Sequence, residues 1–390
     1  MSFRLYQREA MNEKWSYWEC ENYVKNIDFL VIGAGIVGYT TALSLKEKNP
    51  EAKVVILERG ILPSGASSKN AGFACFGSAT EIFDDIEQYG EELVWETVAL
   101  RWKGLQTLRA TIGDDSLDLQ INGSWDLITD AENSLYERVV PKIDYYNVKI
   151  AEITGEQKVY TVDTNVANRF GFKNVNNSIS NRLEGQINTG MMNQAFYQKV
   201  IAADIRVLFG AEVNEITQNQ SSATAQTSIG DFEAAQIAVC TNGFAKQLLN
   251  EEVEPARAQV LITKPIPNLK IKGTFHYQQG YYYFRNINDR ILFGGGRNLN
   301  KLGETTTEIA LTDEIMGSLK YLLRTIILPD ITFEIDHEWS GIMGVGNSKK
   351  PIVKKVSQSI FCGVRLGGMG VAIGSLVGQD LATMITKDKA

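Results

Sequence analysis

Between the apolar run Phe29–Ile32 and the stretch Tyr39–Lys48 the chain reads Gly33-Ala34-Gly35-Ile36-Val37-Gly38. Four apolar residues in a row read as a buried parallel strand, and the stretch after the glycines as an amphipathic helix, so the three glycines fall on the turn between them. Their spacing is G-x-G-x-x-G. The first glycine allows the tight turn, the second removes a side chain so that a pyrophosphate can reach the backbone, and the third lets helix pack closely on strand. An anion placed there meets the unsatisfied amides and positive dipole end of the helix. A second strand, Ala52–Gly60, carries Glu58, twenty residues after Gly38, where a carboxylate can accept hydrogen bonds from ribose hydroxyls. Strand, glycines, helix, strand and acid in this order predict a dinucleotide site. An acid at Glu58 disfavours a 2′-phosphate, which excludes NADP and leaves FAD and NAD.

The loop Leu62–Ser78, reading LPSGASSKNAGFACFGS, follows directly. A nicotinamide domain has no use for it, whereas the flavin end of FAD extends across the sheet and needs further close backbone approach. Its apolar part, Ala71–Phe76, is expected to be buried beside the ligand. Late in the chain Gly367, Gly368 and Gly370 precede the small-residue stretch Val371–Ile385, a second glycine-lined helix start. Such a helix N-terminus stabilises negative charge on a reduced flavin.

The set DFLVIGAGIVG, LERG and SGASSKNAG resembles the D-amino-acid oxidase and glycine oxidase type of FAD-dependent amine oxidoreductase, and the resemblance covers most of the chain from about Asp28 onward. It implies an α/β fold in which a Rossmann-like FAD/NAD(P)-binding domain is combined with a discontinuous α+β substrate domain on a large antiparallel sheet. Residues 26–80, 185–250 and 335–390 are expected to form the FAD-binding part, and 81–184 with 251–334 the substrate part, behind an N-terminal extension of residues 1–25. Gly33, Gly35, Ile36, Val37, Gly38, Glu58 and Arg59 are the expected first contacts with FAD. From the loop come Gly65, Ala66, Ser67, Lys69, Asn70, Ala71 and Gly72. Val213 follows from FGAEVNEI, Cys240, Thr241 and Asn242 from AAQIAVCTNG, and Gly341 with Gly367, Gly368, Met369, Gly370 and Val371 from the closing segments. No Cys or His stands where some relatives bond the flavin covalently, so FAD is expected to be non-covalent.

The resemblance also implies oxidation of the C–N bond of an amine or amino acid by hydride transfer to flavin N5, giving an imine that hydrolyses, with O2 or another acceptor taking the electrons. The cofactor carries the chemistry, so a protein nucleophile is not required. In YYYFR, strand alternation puts Tyr282 and Phe284 on one face and Tyr281 and Tyr283 on the other. Tyr282 is expected to point at substrate, with Phe284 and Arg285 nearby. Relatives of the glycine oxidase kind hold a substrate carboxylate with an arginine in Trp-x-Gly-x-Arg, whereas WSGIM here has Met343 in that place. Arg285, Arg297 or Arg365 could replace it. Otherwise the donor is an amine without an adjacent carboxylate, as in relatives that oxidise glutamylated polyamines. Lys69 keeps the charge but not the fork of an arginine common among relatives. Two alternatives remain: a 2-hydroxy-acid dehydrogenase, needing His276 or His337 at the flavin, and a catalytically silent flavin-binding protein.

The net charge of −7 disfavours a nucleic-acid partner. Four cysteines without metal-ligand spacing, with two histidines, give no metal cage and read as buried reduced thiols. No charge-free apolar run reaches the roughly 20 residues of a membrane span, and the charged N-terminus lacks a signal core, so a cytoplasmic location is expected. Elsewhere, Ile82–Gly113 shows helical periodicity, Leu119–Thr129 reads as a hairpin around Asn122-Gly123, KNVNNSISN as a loop and TQNQSSATAQTS as a hairpin.

Overall fold

The computed structural model describes residues 15–387; the greater part of the expected N-terminal extension, residues 1–14, lies outside the described residues. Two eight-stranded sheets organise the chain. The first has a path of β17 (Ile352–Lys355), β18 (Ile360–Val364), β11 (Gly230–Val239), β1 (Ile27–Ile32), β2 (Val54–Glu58) and β8 (Arg206–Phe209). Pairing is parallel from β18 through β8. The hairpin of β9 (Val213–Gln218) and β10 (Ala223–Thr227) adds to β11.

Burial on both faces explains the continuous apolar strands. Phe29 and Val31 enter one core beneath the helices, while Leu30 and Ile32 enter another with Phe232 and the β9–β10 side. Helix α1 (Ile36–Lys48) follows β1, and its residues are buried on nearly every side from Ile36 to Ala42, so the expected amphipathic character gives way to a helix enclosed within the core. The helical stretch expected over Ile82–Gly113 is two helices, α2 (Ala79–Tyr89) and α3 (Glu91–Ile112), broken at Gly90. The other principal helices are α4 (Ile143–Thr154), α5 (Thr189–Ala202), α6 (Asp313–Leu322) and α7 (Gly370–Lys387).

Helix α7 lies on α1 through a strip without side chains. A Cβ at Gly374 would stand 2.9 Å from Ile36, and one at Gly378 2.8 Å from the Val37 carbonyl. Gly104 of α3 meets α7 as closely, 2.3 Å from the Ala372 carbonyl by the same measure. Gly374 and Gly378 thus serve contact between helices.

The second sheet runs β16 (Ile335–Val345), β12 (Glu254–Thr263), β15 (Arg290–Gly295), β14 (Tyr282–Ile287), β13 (Thr274–Tyr277), β4 (Ser124–Thr129), β6 (Val175–Asn181) and β5 (Tyr160–Asp163). It is antiparallel except between β13 and β4. Three sequence expectations change here. Residues 335–345, grouped above with the FAD-binding segments, pair along their length with β12. The Asn122-Gly123 hairpin is replaced by a strand, β4, whose partners β6 and β13 are distant in sequence. The Asn-rich segment is strand β6 and not a loop: its backbone pairs with β4 and β5, Ser178 donates to the Asp163 carbonyl (3.0 Å), and Asn181 Oδ1 accepts from the Leu183 amide (2.9 Å) while its Nδ2 is left without a partner. A small third sheet pairs β3 (Phe73–Ala74) with β7 (Gly185–Gln186). Among the described residues no helix is long and apolar enough to cross a membrane, and all four cysteines are buried and free.

Candidate cofactor and substrate site

One cavity of about 610 Å3 joins the β1–α1 turn, the loop after β2, the start of α7 and one face of the second sheet. That volume lies within the range of ordinary ligand sites, ~300–1,000 Å3. Gly33 adopts φ +106°, and a Cβ there would stand 2.9 Å from the Cys240 carbonyl. At Gly38 a Cβ would lie 1.9 Å from the Gly33 carbonyl, so strand and helix meet with no space for a methyl group. The backbone ladder of α1 opens with Tyr39 N–H to the Gly35 carbonyl (2.8 Å), which leaves the amides of Val37 and Gly38 outside it.

Glu58 is buried at the end of β2 and ties the cradle together. It accepts from the Ala34 amide (3.0 Å), the Gly60 amide (3.1 Å) and the Ser64 hydroxyl (3.0 Å). A carboxylate has about four acceptor positions, so capacity for a further donor remains. The loop after β2 is similarly braced. Ser67 Oγ accepts from the Ile36 amide (3.0 Å), Asn70 Oδ1 accepts from the Gly72 amide (2.8 Å) and the Thr189 hydroxyl (3.0 Å), and Trp339 Nε1 donates to the Lys69 carbonyl (3.0 Å). Arg59 lies 3.6 Å over the ring of Phe244 and makes a planar part of the wall. At the far end α7 begins with Ile373 N–H to Met369 (3.0 Å), so the amides of Gly370 to Ala372 precede its ladder.

The residues expected at the cofactor line this cavity, from Gly33, Gly35, Ile36 and Val37 through Lys69 and Val213 to Gly341 and Val371; the exception is Gly38, which packs against the Gly33 carbonyl. Met343 also lines it, with its sulfur 3.3 Å from where a Cβ on Gly368 would be.

The other three residues expected at the substrate do not line the cavity. Alternation along β14 holds, but the face carrying Tyr282 and Phe284 is covered by α6, where they pack with Phe293, Ile315 and Leu319. The Tyr282 hydroxyl is 3.0 Å from Ser318 Oγ. Tyr281 and Tyr283 line the cavity instead. Arg285 shares their face but is buried. Its Nε donates to the Ala71 carbonyl and its Nη2 to that of Ile187 (3.0 Å), so its donors brace the loop after β2 and the entry of α5. Burial lowers this guanidinium to about 10. Arg365 is similarly occupied, by Glu252 Oε2 (2.8 Å) and the Lys350 carbonyl (3.1 Å).

Other wall residues carried no signal in the sequence. Lys349 holds Glu81 (2.8 Å) and Asp85 (2.6 Å). Burial alone would raise Glu81, but Lys349 and Arg101 hold it down to about 2. Spacing suggested no metal-ligand group, yet the fold brings one ligand atom each of Cys75, Glu184 and His276 within 4.8 Å of one another. Glu184 already accepts from the Phe76 (2.7 Å) and Gly77 (2.9 Å) amides and the Ser124 hydroxyl (2.5 Å). Burial pushes the Cys75 thiol well above its ordinary value. His276 lines the cavity, whereas His337 is stacked on Trp339 (5.7 Å) away from the wall.

A family model described as FAD dependent oxidoreductase, DAO, matches residues 28–384. The chain belongs to this family. Its cavity fits the family's cofactor on its own geometry: a turn too tight for side chains, two helix starts with free amides, and the buried Thr241 hydroxyl, which lines the wall without a partner. The probable oxidoreductase OrdL of Haemophilus influenzae is 20% identical over 382 residues, covering 94% of this chain and 84% of that one. L-proline dehydrogenase from P. horikoshii superposes with a TM-score of 0.72 at 19% identity, over 93% of this chain and 94% of that one. Iminodiacetate oxidase from a Chelativorans species does so at 0.72 and 20%, over 92% and 95%. Both likenesses show the fold.

Proposed function

We propose that this chain oxidises a C–N bond of a small-molecule amine or amino acid using non-covalently held FAD, with O2 or another acceptor as the final oxidant. The observation that carries the reading is the continuity of the cavity, from the cradle at Gly33–Gly38 to the aromatic face of Tyr281 and Tyr283 on the second sheet. A cofactor and a small donor can meet inside it. When bound between these residues, FAD would supply the acceptor for a hydride from the carbon beside the donor nitrogen, leaving an imine to hydrolyse in water.

The residues present are suited to holding and enclosing. The amides of Val37 and Gly38 at the start of α1 and those of Gly370 to Ala372 at the start of α7 supply positive ends for anionic groups. Tyr283, its hydroxyl pushed up to about 12 by burial, keeps an uncharged wall against the donor. Burial also pushes Cys240 up to about 12, so the thiol stays protonated, in keeping with a flavin that is not bonded to it. The solved relatives named above act, by their descriptions, on proline and iminodiacetate, which supports a nitrogen-bearing donor.

The purified protein should be yellow, acid precipitation should release its flavin into the supernatant, and anaerobic addition of an amine or amino acid should bleach it. Bleaching by 2-hydroxy acids alone would reject the reading. That second reading, a 2-hydroxy-acid dehydrogenase, draws on one observation: His276 stands on the wall with a partnerless Nε2 and is available as a base.

A further inference from the structure

We propose that Cys75, Glu184 and His276 form a binding site for one divalent cation of the zinc type, where the loop after β2 crosses the second sheet. The site is independent of what the flavin oxidises.

Strand pairing gathers residues that are far apart in the chain. β13 runs parallel to β4, with Thr274 opposite Ser124 and His276 opposite Asp126. Residues two apart share a face and paired residues lie side by side, so these four polar side chains form one patch. Cys75, just after β3, and Glu184, just before β7, are brought over it because β3 and β7 pair. Thr274 Oγ1 stands 3.7 Å from Cys75 Sγ, and the Ser124 hydroxyl donates to Glu184 Oε2 (2.5 Å). One ligand atom from each of Cys75, Glu184 and His276 then lies within 4.8 Å of the other two. Tetrahedral zinc, with bonds of ~2.0–2.3 Å to N, O and S, spaces its ligand atoms by roughly 3.5 Å, so a contraction of about 1 Å completes three corners.

Each ligand has a lone pair to give. His276 Nε2 is buried without a partner, a Cβ on Gly280 would stand 4.0 Å from its Nδ1, and Phe73 meets the ring edge-on at 5.4 Å. The Phe76 and Gly77 amides occupy Glu184 Oε1 and the Ser124 hydroxyl one position of Oε2, which leaves Oε2 one of about four acceptor positions and fixes the carboxylate as outer partners fix a metal ligand. At Cys75 the S–H bond breaks, a bond from sulfur to the metal forms, and the proton leaves to water. Thiolate and imidazole select zinc over calcium or magnesium, which take oxygen ligands. Cys75 and His276 line the cavity with Glu184 buried behind them, so the fourth corner opens to the cavity. The surrounding charges also call for a cation. Lys349 and Arg101 are matched to Glu81 and Asp85, and Lys301 lies over the ring of Tyr281 (5.6 Å). Among the described residues neither Glu184 nor Asp126 has an ion pair within 4.0 Å, and the buried Asp126 keeps its Oδ1 without a partner. A divalent ion on one thiolate and one carboxylate is neutral overall, and so supplies the counterion that Glu184 lacks.

The test uses the FAD-loaded full chain after treatment with EDTA and dialysis. Calorimetric titration with zinc sulfate should show one site per chain and release of about one proton per ion, read from the dependence of the heat on buffer. Cobalt chloride in place of zinc should give intense d–d bands at wavelengths beyond those of oxidised flavin, the signature of a four-coordinate ion. Zinc should raise the melting temperature, since the ion binds the assembled patch and not the unfolded chain. Cys75→Ser and His276→Gln should each weaken zinc binding by ~100-fold or more, at least the loss that an outer partner of a metal site causes. Cys362→Ser and His337→Gln, away from the patch, should bind as the parent does. No saturable binding by the parent at micromolar free zinc, weak six-coordinate cobalt bands, or an affinity unchanged in both Cys75→Ser and His276→Gln overturns the site. The stoichiometry, the proton count and the cobalt spectrum of the parent decide the matter even where a variant fails to fold. Amine-driven flavin reduction is scored separately and stands or falls on its own.

Discussion

The guanidinium of Arg285, on the second sheet, donates through Nε to the backbone carbonyl of Ala71, in the loop after β2. With a second bond to Ile187, one buried side chain ties the second sheet to the loop and to the entry of α5. Arg285→Met leaves two buried carbonyls without a donor, so a loss of roughly 2–4 kcal/mol in stability is expected. Thermal denaturation and flavin retention on gel filtration should both fall. Among molecules that keep FAD, the KM for an amine should stay close to that of the parent.

Tyr282 provides the opposite kind of control. Its hydroxyl meets Ser318 under α6 and not the cavity. Tyr282→Phe should therefore cost about 1 kcal/mol of stability and leave kcat/KM unchanged. A KM that rises severalfold would place the tyrosine at the substrate after all.

The glycines of the first turn should respond unequally. A methyl group at Gly38 collides with backbone at 1.9 Å, whereas at Gly35 it meets only the Ser67 hydroxyl, at 2.9 Å. Gly38→Ala should give insoluble or colourless protein. Gly35→Ala should fold, lose the Ser67 bond to Ile36 and bind FAD more weakly, as followed by flavin fluorescence during dilution.

Asp126 sets a pH dependence. Burial pushes its carboxyl from 3.8 up to about 6, against the pull of His276 and the Thr80 amide. A raised carboxyl holds its proton more tightly when folded, so its stabilisation is complete below the unfolded value and lost as pH rises through 6. The amount is on the order of 2–3 kcal/mol. Asp126→Asn retains an acceptor for the Thr80 amide (3.0 Å in the parent) without the charge. The parent's melting temperature should decline by a few degrees between pH 4 and 7, and that of Asp126→Asn should not.

The features legible in the sequence are those that depend on neighbours along the chain. Gly33, Gly35, Gly38 and Glu58 can be read because turn, helix start and strand end all lie within one β-α-β unit. Along β14, the period of two separated Tyr282 from Tyr283 correctly, but nothing local tells which face α6 will cover. Phe284 was the available hint, since a residue without a polar tip beside Tyr282 suits a sealed interior better than a substrate surface. The salt bridge from Lys349 to Glu81 spans 268 positions, and Cys75, Glu184 and His276 meet only when three separate segments converge. Such groupings leave no periodicity to detect. The Asn-rich strand β6 was missed for another reason: its polar side chains suggest solvent, yet partners for Ser178 and for Asn181 Oδ1 are supplied by the strands and loops around it.

The contact of α7 with α1 bears on how the protein is made. The early turn leaves the ribosome more than three hundred residues before Gly367–Ala372, which complete the same cavity. Until then the face of α1 around Ile36, Val37 and Thr40 has nothing to lie against, and a nascent chain must carry that sticky surface through most of its synthesis. Flavin loading is accordingly expected late in biogenesis, and a ribosome stalled before the final helix should release a product prone to clump and unable to retain its pigment.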